Sequence, residues 1–362
     1  MASQLTQVQA RLVISIAGEP GDERVGQAVA EYGAVEAVQI WQRGIGATAM
    51  INSINRVLDS RAIEQAVKSL NSVNGRFITP DDAEWPIALD DLDLATPVGL
   101  WCVGIGELGE LAKRSLAIVG ARAATAYGER VANEMAVQAA QESVTVVSGA
   151  AYGIDAASHR GALLAAGKTI AVLACGVDVA YPVSHRGLLT RISESGVVVS
   201  EAPPGAKPHK HRFLIRNRLI AALSQGTLVV EAALRSGSLS TSNWAHTLGR
   251  EVWGIPGPIT SATSAGVHTA IRNNVMTLAA SAQDIFRSYK TQEHTTQLGI
   301  IDGAIIGTLE LGPKDTHEIF QILIQLLGTN LDFYELQASL ALLEVRQVIS
   351  LTAFGWQLRQ MT

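Results

Sequence analysis

Between Pro203 and Leu239 the chain gathers Lys207, Lys210, Arg212, Arg216 and Arg218, with His209 and His211, in the run PPGAKPHKHRFLIRNRLIAALSQGTLVVEAALRSGSL. The molecule as a whole carries a net charge of -5, so this cluster marks a local site for an anion rather than general basicity. The stretch runs on into an apolar strand candidate and the turn Ser236-Gly237-Ser238. The serines of that turn can cap a helix, and its backbone N–H groups can hold a phosphate.

Other groups with chemical potential are sparse. His159 follows Asp155 by four positions, so the two can share a helix face, as an intrahelical brace before an acid–base couple. Glu231, ending GTLVVE, can orient the 236–238 turn through backbone N–H groups; a general base is its sharper alternative, but no histidine pattern accompanies the serines. No GxxxxGK[ST] run occurs, which argues against a Walker-type ATPase. The strand candidate SLAIVG continues ARAATAYG without close glycines, and VTVVSG ends on serine where a dinucleotide fold places an acid. A nicotinamide enzyme is therefore not expected. Cys102 and Cys175 lie far apart in apolar surroundings and read as two packed, reduced thiols. Neither a metal site nor a cofactor is expected.

The elements that must position these residues follow from composition and pattern. A chain of 362 residues that is 48% hydrophobic can bury more than one core, and its low charged fraction of 17% excludes a disordered or coiled-coil protein. From Ser115 onward, short apolar runs (SLAIVG, VTVVSG, TIAVLACG, GVVVSE, GTLVVE, REVWGIPG) alternate with amphipathic helices. Such strands are buried on both faces, so an α/β fold with a doubly wound, mostly parallel sheet is expected. Ligands of these sheets bind beyond the carboxyl ends of the strands. There the sequence places Gly120-Ala121-Arg122, Ser148-Gly149-Ala150, Cys175 to Asp178, Glu201 to Pro204, Glu231 to Ala233 and Gly257-Pro258. Arg122, directly after a strand-end glycine, stands over a helix start, as a ligand contact or as half of a surface ion pair.

The flanks differ in character. Arg11 to Asp59 has helical apolar spacing broken at Gly18–Gly21 and at Gly44-Ile45-Gly46, and Ile63 to Leu70 continues it. The GIG run reads as an interhelix turn. Asn74 to Lys113, acidic and interrupted by three prolines, reads as a connector with one short strand at Val98–Val103. Gln292 to Gly303 reads as a polar linker, and Ala304 to Leu311, Thr316 to Leu327 and Asp332 to Glu344 as helices ahead of a strand pair. The basic residues beyond 303 are only Lys314, Arg346 and Arg359, against six acids, so that end suits protein contact or packing better than DNA reading. Without a leader pattern or an apolar run of about 20 residues, a cytoplasmic protein with no membrane contact is expected.

Several long motifs, in order, resemble the DprA/Smf family of bacterial DNA-processing proteins: LAIVGAR, VVSGAAYGIDAASHRGAL, TIAVLACGVDVAYP, RNRLIA, LVVEAALRSGSL and GREVWGIPGPIT. The resemblance covers nearly the whole chain. It implies a SAM-like helical domain (1–73), an extended Rossmann-like DNA-binding domain (74–290, with 74–113 as connector), a linker (291–303) and a winged-helix-like domain (304–362). It further implies a non-enzymatic protein, a homodimer, that protects single-stranded DNA in natural transformation or recombination and assists loading of the recombinase RecA.

By the same resemblance, the DNA contacts fall on Arg122, Lys168, Phe213, Arg216, Asn217, Arg218, Ser236, Gly237 and Ser238, with Gly120, Ser148, Gly149 and Glu231 shaping the pocket. Phe213 stacks or wedges against a base, or else is core. Arg216 and Arg218 are two apart, roughly 200° around a helix; one need touch DNA while the other braces Glu201 or Glu231, and Arg218, nearer the sheet, is the structural candidate. His209 and His211 read as solvated. Tyr152 stands where the family commonly has arginine, and FLIRNR lacks the proline that many relatives place after the phenylalanine. Two other classes stay open: a Rossmann-like nucleotide or nucleoside-phosphate hydrolase using Glu231 with the 236–238 turn, although no PGGxGTxxE-like run is present, and an adaptor that binds RecA without touching DNA.

Overall fold

Thr6 and Asp22 each turn a side-chain oxygen onto a free backbone N–H, of Gln9 and Arg24, and so start the first two helices. In the computed structural model these are α1 (Gln7–Ala17) and α2 (Glu23–Gln42), followed by α3 (Thr48–Leu58) and α4 (Ala62–Ser72). The structure describes residues 5–328, 331–346, 348–352 and 354–359, the side chains of residues 288 and 290–298 excepted. The Gly18–Gly21 and Gly44–Gly46 runs are the turns between these helices, and α2 changes direction at Gly33, whose φ is 77°. Val13, Ile14, Val38, Trp41 and Ile54 close the apolar faces into a small core.

The next strands are β1 (Gly75–Ile78), β2 (Leu100–Val103), β3 (Ser115–Val119), β4 (Thr145–Ser148), β5 (Thr169–Leu173), β6 (Val197–Ser200), β7 (Gly226–Val229), β8 (Glu251–Gly254) and β9 (Thr277–Leu278). They form one sheet in the order β1-β2-β6-β5-β4-β3-β7-β8-β9. β3 to β9 pair in parallel, while β2 joins β6, and β1 joins β2, antiparallel. Helices α5 (Leu108–Lys113), α6 (Ala126–Gln141), α7 (Ile154–Leu164), α8 (Arg186–Ser193), α9 (Lys210–Ala222), α10 (Ser238–Thr247) and α11 (Ala265–Arg272) connect the strands. Every residue of β3 to β7 is buried, and each Val, Ile or Leu there contributes about 1.5–3 kcal/mol by leaving water. This is the mostly parallel α/β sheet that the alternating pattern requires.

Two findings correct the sequence reading of 74–113. The segment supplies two strands to the main sheet, and β1 (GRFI) has too little apolar character to be seen without its partner. Pairing makes it a strand: Phe77 stands opposite Trp101, with ring centroids 4.6 Å apart. The proline-rich stretch between them is a 3-10 segment, Ile87–Ala95.

Chain direction determines where a ligand can sit. From β3 the chain steps through β4 and β5 to β6, then returns to the other side of β3 as β7. The switch point therefore lies between β3 and β7, with the end of β4 beside it, and the crevice beyond the carboxyl ends is the place for a site.

A separate C-terminal unit, Gln283–Thr362, contains most of α12 (Ala282–Leu309), then α13 (Thr316–Leu327), α14 (Phe333–Val345) and the antiparallel pair β10 (Ile349–Thr352) and β11 (Gly355–Leu358). Ile305, Ile319, Leu323, Leu336 and Ile349 fill its core. Residues 291–303, the stretch read as a polar linker, lie within helix α12; no proline interrupts them.

Candidate functional site

β3 ends at Val119, and Gly120 follows because nothing larger fits: a Cβ there would come within 2.6 Å of Ile154 Cγ1. The loop then carries Arg122 and reaches Thr125, the N-cap of α6. Glu231, at the end of β7 and 2% exposed, accepts hydrogen bonds from the Thr125 N–H (2.9 Å) and Thr125 Oγ1 (2.6 Å). A carboxylate under a helix N-terminus satisfies free donors and opposes the helix dipole. Glu231 therefore fixes the Arg122 loop, not the 236–238 turn that the sequence places after it.

Arg122 is exposed, with its guanidinium over the Phe213 ring, 4.6 Å from the centroid. Tyr181 lies on the same aromatic cluster, its ring centroid 5.5 Å from that of Phe213. Phe213 belongs to the first half of α9, and Lys210, one turn earlier, shares its face of the helix and is exposed.

The second half of α9 is inserted into the protein, with residues 216–222 all buried. Arg216, 6% exposed, donates from Nη1 to the Gly149 carbonyl (2.9 Å) and to that of Val172 at the ends of β4 and β5. Burial pulls its pKa down to about 10, with buried Asp155 acting against the shift, so it stays cationic at neutral pH. Arg216 thus ties strand ends together through Nη1, while its buried Nε has no partner. Arg218 donates from Nη2 to both Glu201 oxygens (2.8 and 2.7 Å), which is the brace proposed for it. Asn217 donates to the Gly237 carbonyl (3.0 Å), and Ser236 and Ser238 share a hydrogen bond of 2.7 Å, so α9 sets the turn that opens α10.

Much of the cationic stretch is neutralised by the α1–α2 turn. Arg212 pairs with Glu19 through two donors (2.7 and 2.9 Å), and Gly21 N–H donates to the Glu201 that holds Arg218 (3.1 Å). The Arg212 hydrogen bond keeps the Glu19 carboxyl below its usual range. His211 lies 3.4 Å from Glu19, and His209 stacks on His211. Among the described residues, Arg122, Lys207 and Lys210 make no ion pair.

Two further expectations need correction. Lys168 precedes β5, so it sits at the amino edge of the sheet, about 16 Å of strand away from the crevice. Ser148 Oγ, expected to shape the pocket, donates to the Ile118 carbonyl (2.7 Å) and so ties the end of β4 to β3. Asp155 and His159 do not brace each other: Asp155 accepts from the Ala151 N–H (3.3 Å), and His159 Nδ1 meets Thr169 Oγ1 (2.7 Å). Since Thr169 Oγ1 donates to the Val146 carbonyl (2.7 Å), Nδ1 carries the proton and the buried Nε2 has no partner. Burial pushes the His159 pKa down to about 3. Both cysteines are free and buried, and burial raises the Cys175 thiol to about 11.

The arrangement is thus a cation stacked on an aromatic cluster at a topological switch point, with the unpaired Lys210 on the same helix face as Phe213. Over this same body, residues 76–290, the model of the DNA recombination-mediator protein A family matches. The chain belongs to that family, DprA/Smf. A relative from Mycobacterium tuberculosis bearing the DprA name is 45% identical over 284 residues, 75% of this chain and 72% of its own length. Protein Smf of Escherichia coli is 36% identical over 297 residues, covering 80% of this chain and 76% of Smf. Among solved structures, DprA from Streptococcus pneumoniae superposes with a TM-score of 0.66 at 31% identity, over 79% of this chain and 98% of that one. DNA processing protein A from Helicobacter pylori, whose structure describes a single-stranded DNA binding mode, gives 0.54 at 27% identity, over 60% and 97%.

Within this DprA/Smf chain, the structure adds two residues that sequence reasoning left out of the site. Lys210 was visible as a charge three positions ahead of Phe213, but its face depends on where α9 begins. Tyr181 lies 32 positions before Phe213, and only the fold brings them together. Among the described residues no helix is long and apolar enough to cross a membrane.

Proposed function

We propose that this chain binds single-stranded DNA at the carboxyl edge of its sheet, without catalysis, and that it acts in recombination or transformation as a homodimer that assists RecA loading. The observation that carries the reading is Arg122 stacked on Phe213 beside Tyr181. Single strands are held by cations that track phosphates and by aromatic faces that take bases, and this edge offers both. The single-stranded DNA binding described for the Helicobacter pylori relative supports the same ligand here.

In this reading Arg122, Lys210, Phe213 and the Ser236–Ser238 turn meet the strand. Arg216, Asn217, Arg218 and Glu231 hold the walls, with Gly120, Ser148 and Gly149 in close backbone packing. A hydrolase would need a carboxylate within reach of water. Glu231 is instead bonded to Thr125, and Asp155 is buried against Arg216. Residues 1–73 serve as the SAM-like domain and 304–362 as the winged-helix-like domain, the latter for protein contact.

A titration of a labelled oligonucleotide at two salt concentrations tests the site. Two phosphate contacts give a log–log salt slope of about -1.4, and Arg122→Ala weakens binding about tenfold or more. Absence of binding at low salt, or binding indifferent to Arg122→Ala, overturns the assignment. Sedimentation tests the dimer, and the rate of RecA filament assembly on a pre-coated strand tests the loading role.

A further inference from the structure

Tyr152 is 52% exposed, yet it is fixed in place. Its hydroxyl shares a hydrogen bond with Ser184 Oγ (3.0 Å), and its ring packs edge-on against His185, with centroids 4.9 Å apart. His185 is itself buried and bonded to the Ala150 carbonyl (2.9 Å). Tyr181, three residues before Ser184, is 39% exposed and lies against Phe213. On the other side, Gly153 has φ 72°, and its backbone presses on the Ala121 and Arg122 carbonyls so closely that no Cβ fits. Arg122, Phe213, Tyr181, Ser184, Tyr152 and Gly153 are therefore successive neighbours around the mouth of the crevice.

Resting on the single-strand reading above, the geometry points to Tyr152 and Tyr181 as second and third platforms for nucleobases, continuing the surface that Phe213 begins. A tyrosine held by its hydroxyl and ring edge leaves a flat face in water and loses little freedom when a base covers it. The open surface consists of partly exposed rings, with the exposed side chain of Val183 between Tyr181 and Ser184 in the chain. Arg122 and Lys210 border it and suit phosphates between the stacked bases. Tyr152 thus takes a base where a cation would take a phosphate, and its contribution is independent of salt.

The test uses the full chain with two labelled strands of equal length, an oligothymidylate and a backbone strand lacking all bases. Tyr152→Ala weakens oligothymidylate binding roughly 5- to 50-fold with an unchanged salt slope, and binds the abasic strand as the wild type does. Tyr152→Phe keeps the ring and restores most of the affinity. Tyr181→Ala shows the same selective loss, and its abasic-strand binding verifies that the site is still folded. The inference is overturned if Tyr152→Ala binds oligothymidylate like the wild type, loses both strands equally, or is matched in its loss by Tyr152→Phe. If the wild type binds neither strand, the single-strand reading itself fails. If Arg122→Ala loses binding and Tyr152→Ala does not, only the platform assignment falls.

Discussion

The guanidinium of Arg122 lies 4.6 Å from the centroid of the Phe213 ring, although the two residues come from the β3 loop and the start of α9. Each therefore positions the other. A cation over an aromatic face at an exposed site is worth about 0.5–1 kcal/mol, enough to hold the arginine where a phosphate can meet it.

This coupling predicts distinct signatures for the two truncations. Arg122→Ala should lower the magnitude of the salt slope by about 0.7, one phosphate contact on a single strand. Phe213→Ala should weaken binding with less effect on the slope. The double variant should fall short of the sum of the two losses by about 0.5–1 kcal/mol. Strict additivity in a double-mutant cycle would show that the stacked geometry is irrelevant to binding.

Glu19 holds Arg212 in an ion pair at the edge of the same helix. Glu19→Gln releases that cation, and the released charge should tighten single-strand binding and steepen the salt slope by about 0.7. Because the carboxylate is largely exposed, the stability change should stay within about 1 kcal/mol. An unaltered slope in Glu19→Gln would place Arg212 outside the path of the strand.

Arg218 and Glu201 form a buried pair, with side chains 3% and 11% exposed. Removing one partner strands the other charge away from water, so Arg218→Ala should cost about 3–5 kcal/mol in urea denaturation. Arg216→Ala should be costly as well, since it leaves buried Asp155 without its opposing charge and two strand-end carbonyls without their donor. Both variants should lose stability before they report on DNA contact. A stable Arg216→Ala protein with selectively weakened DNA binding would reverse the structural role given to that residue.

The difference between Arg122 and Arg216 marks how far sequence could go. Strands β3 to β8 were legible because burial on both faces demands near-continuous apolar runs, and strand-end residues then follow from chain direction. β1 and β9 escaped because one is half polar and the other has two residues. In α9 the residues from 216 to 222 are buried all round, so no helical face distinguishes a cation inside the protein from one outside. Lys168 entered the site through the family resemblance alone, yet it precedes β5 where the crevice lies beyond its end. The link from Glu231 to Thr125 spans 106 positions and has no local signal.

His159 predicts how stability depends on pH. Its folded pKa of about 3 lies below the unfolded 6.5, so between those values the unfolded chain binds a proton that the native state excludes. Stability from this group is complete above pH 6.5 and is lost as pH falls toward 3, with a limiting slope of about 1.4 kcal/mol per unit. His185, Arg216 and Arg160 all disfavour the imidazolium. Asp155, raised by burial, acts with the opposite sign above pH 3.8, so the His159 contribution is isolated by difference. His159→Phe removes the titrating group while Thr169 keeps its bond to the Val146 carbonyl. Urea unfolding across pH 4 to 7 should therefore show a gap between wild type and His159→Phe that moves in the wild type's disfavour as pH falls, by about 1.4 kcal/mol per unit well below 6.5. Parallel curves would mean that His159 accepts a proton in the native state, and that its buried Nε2 is reached by water.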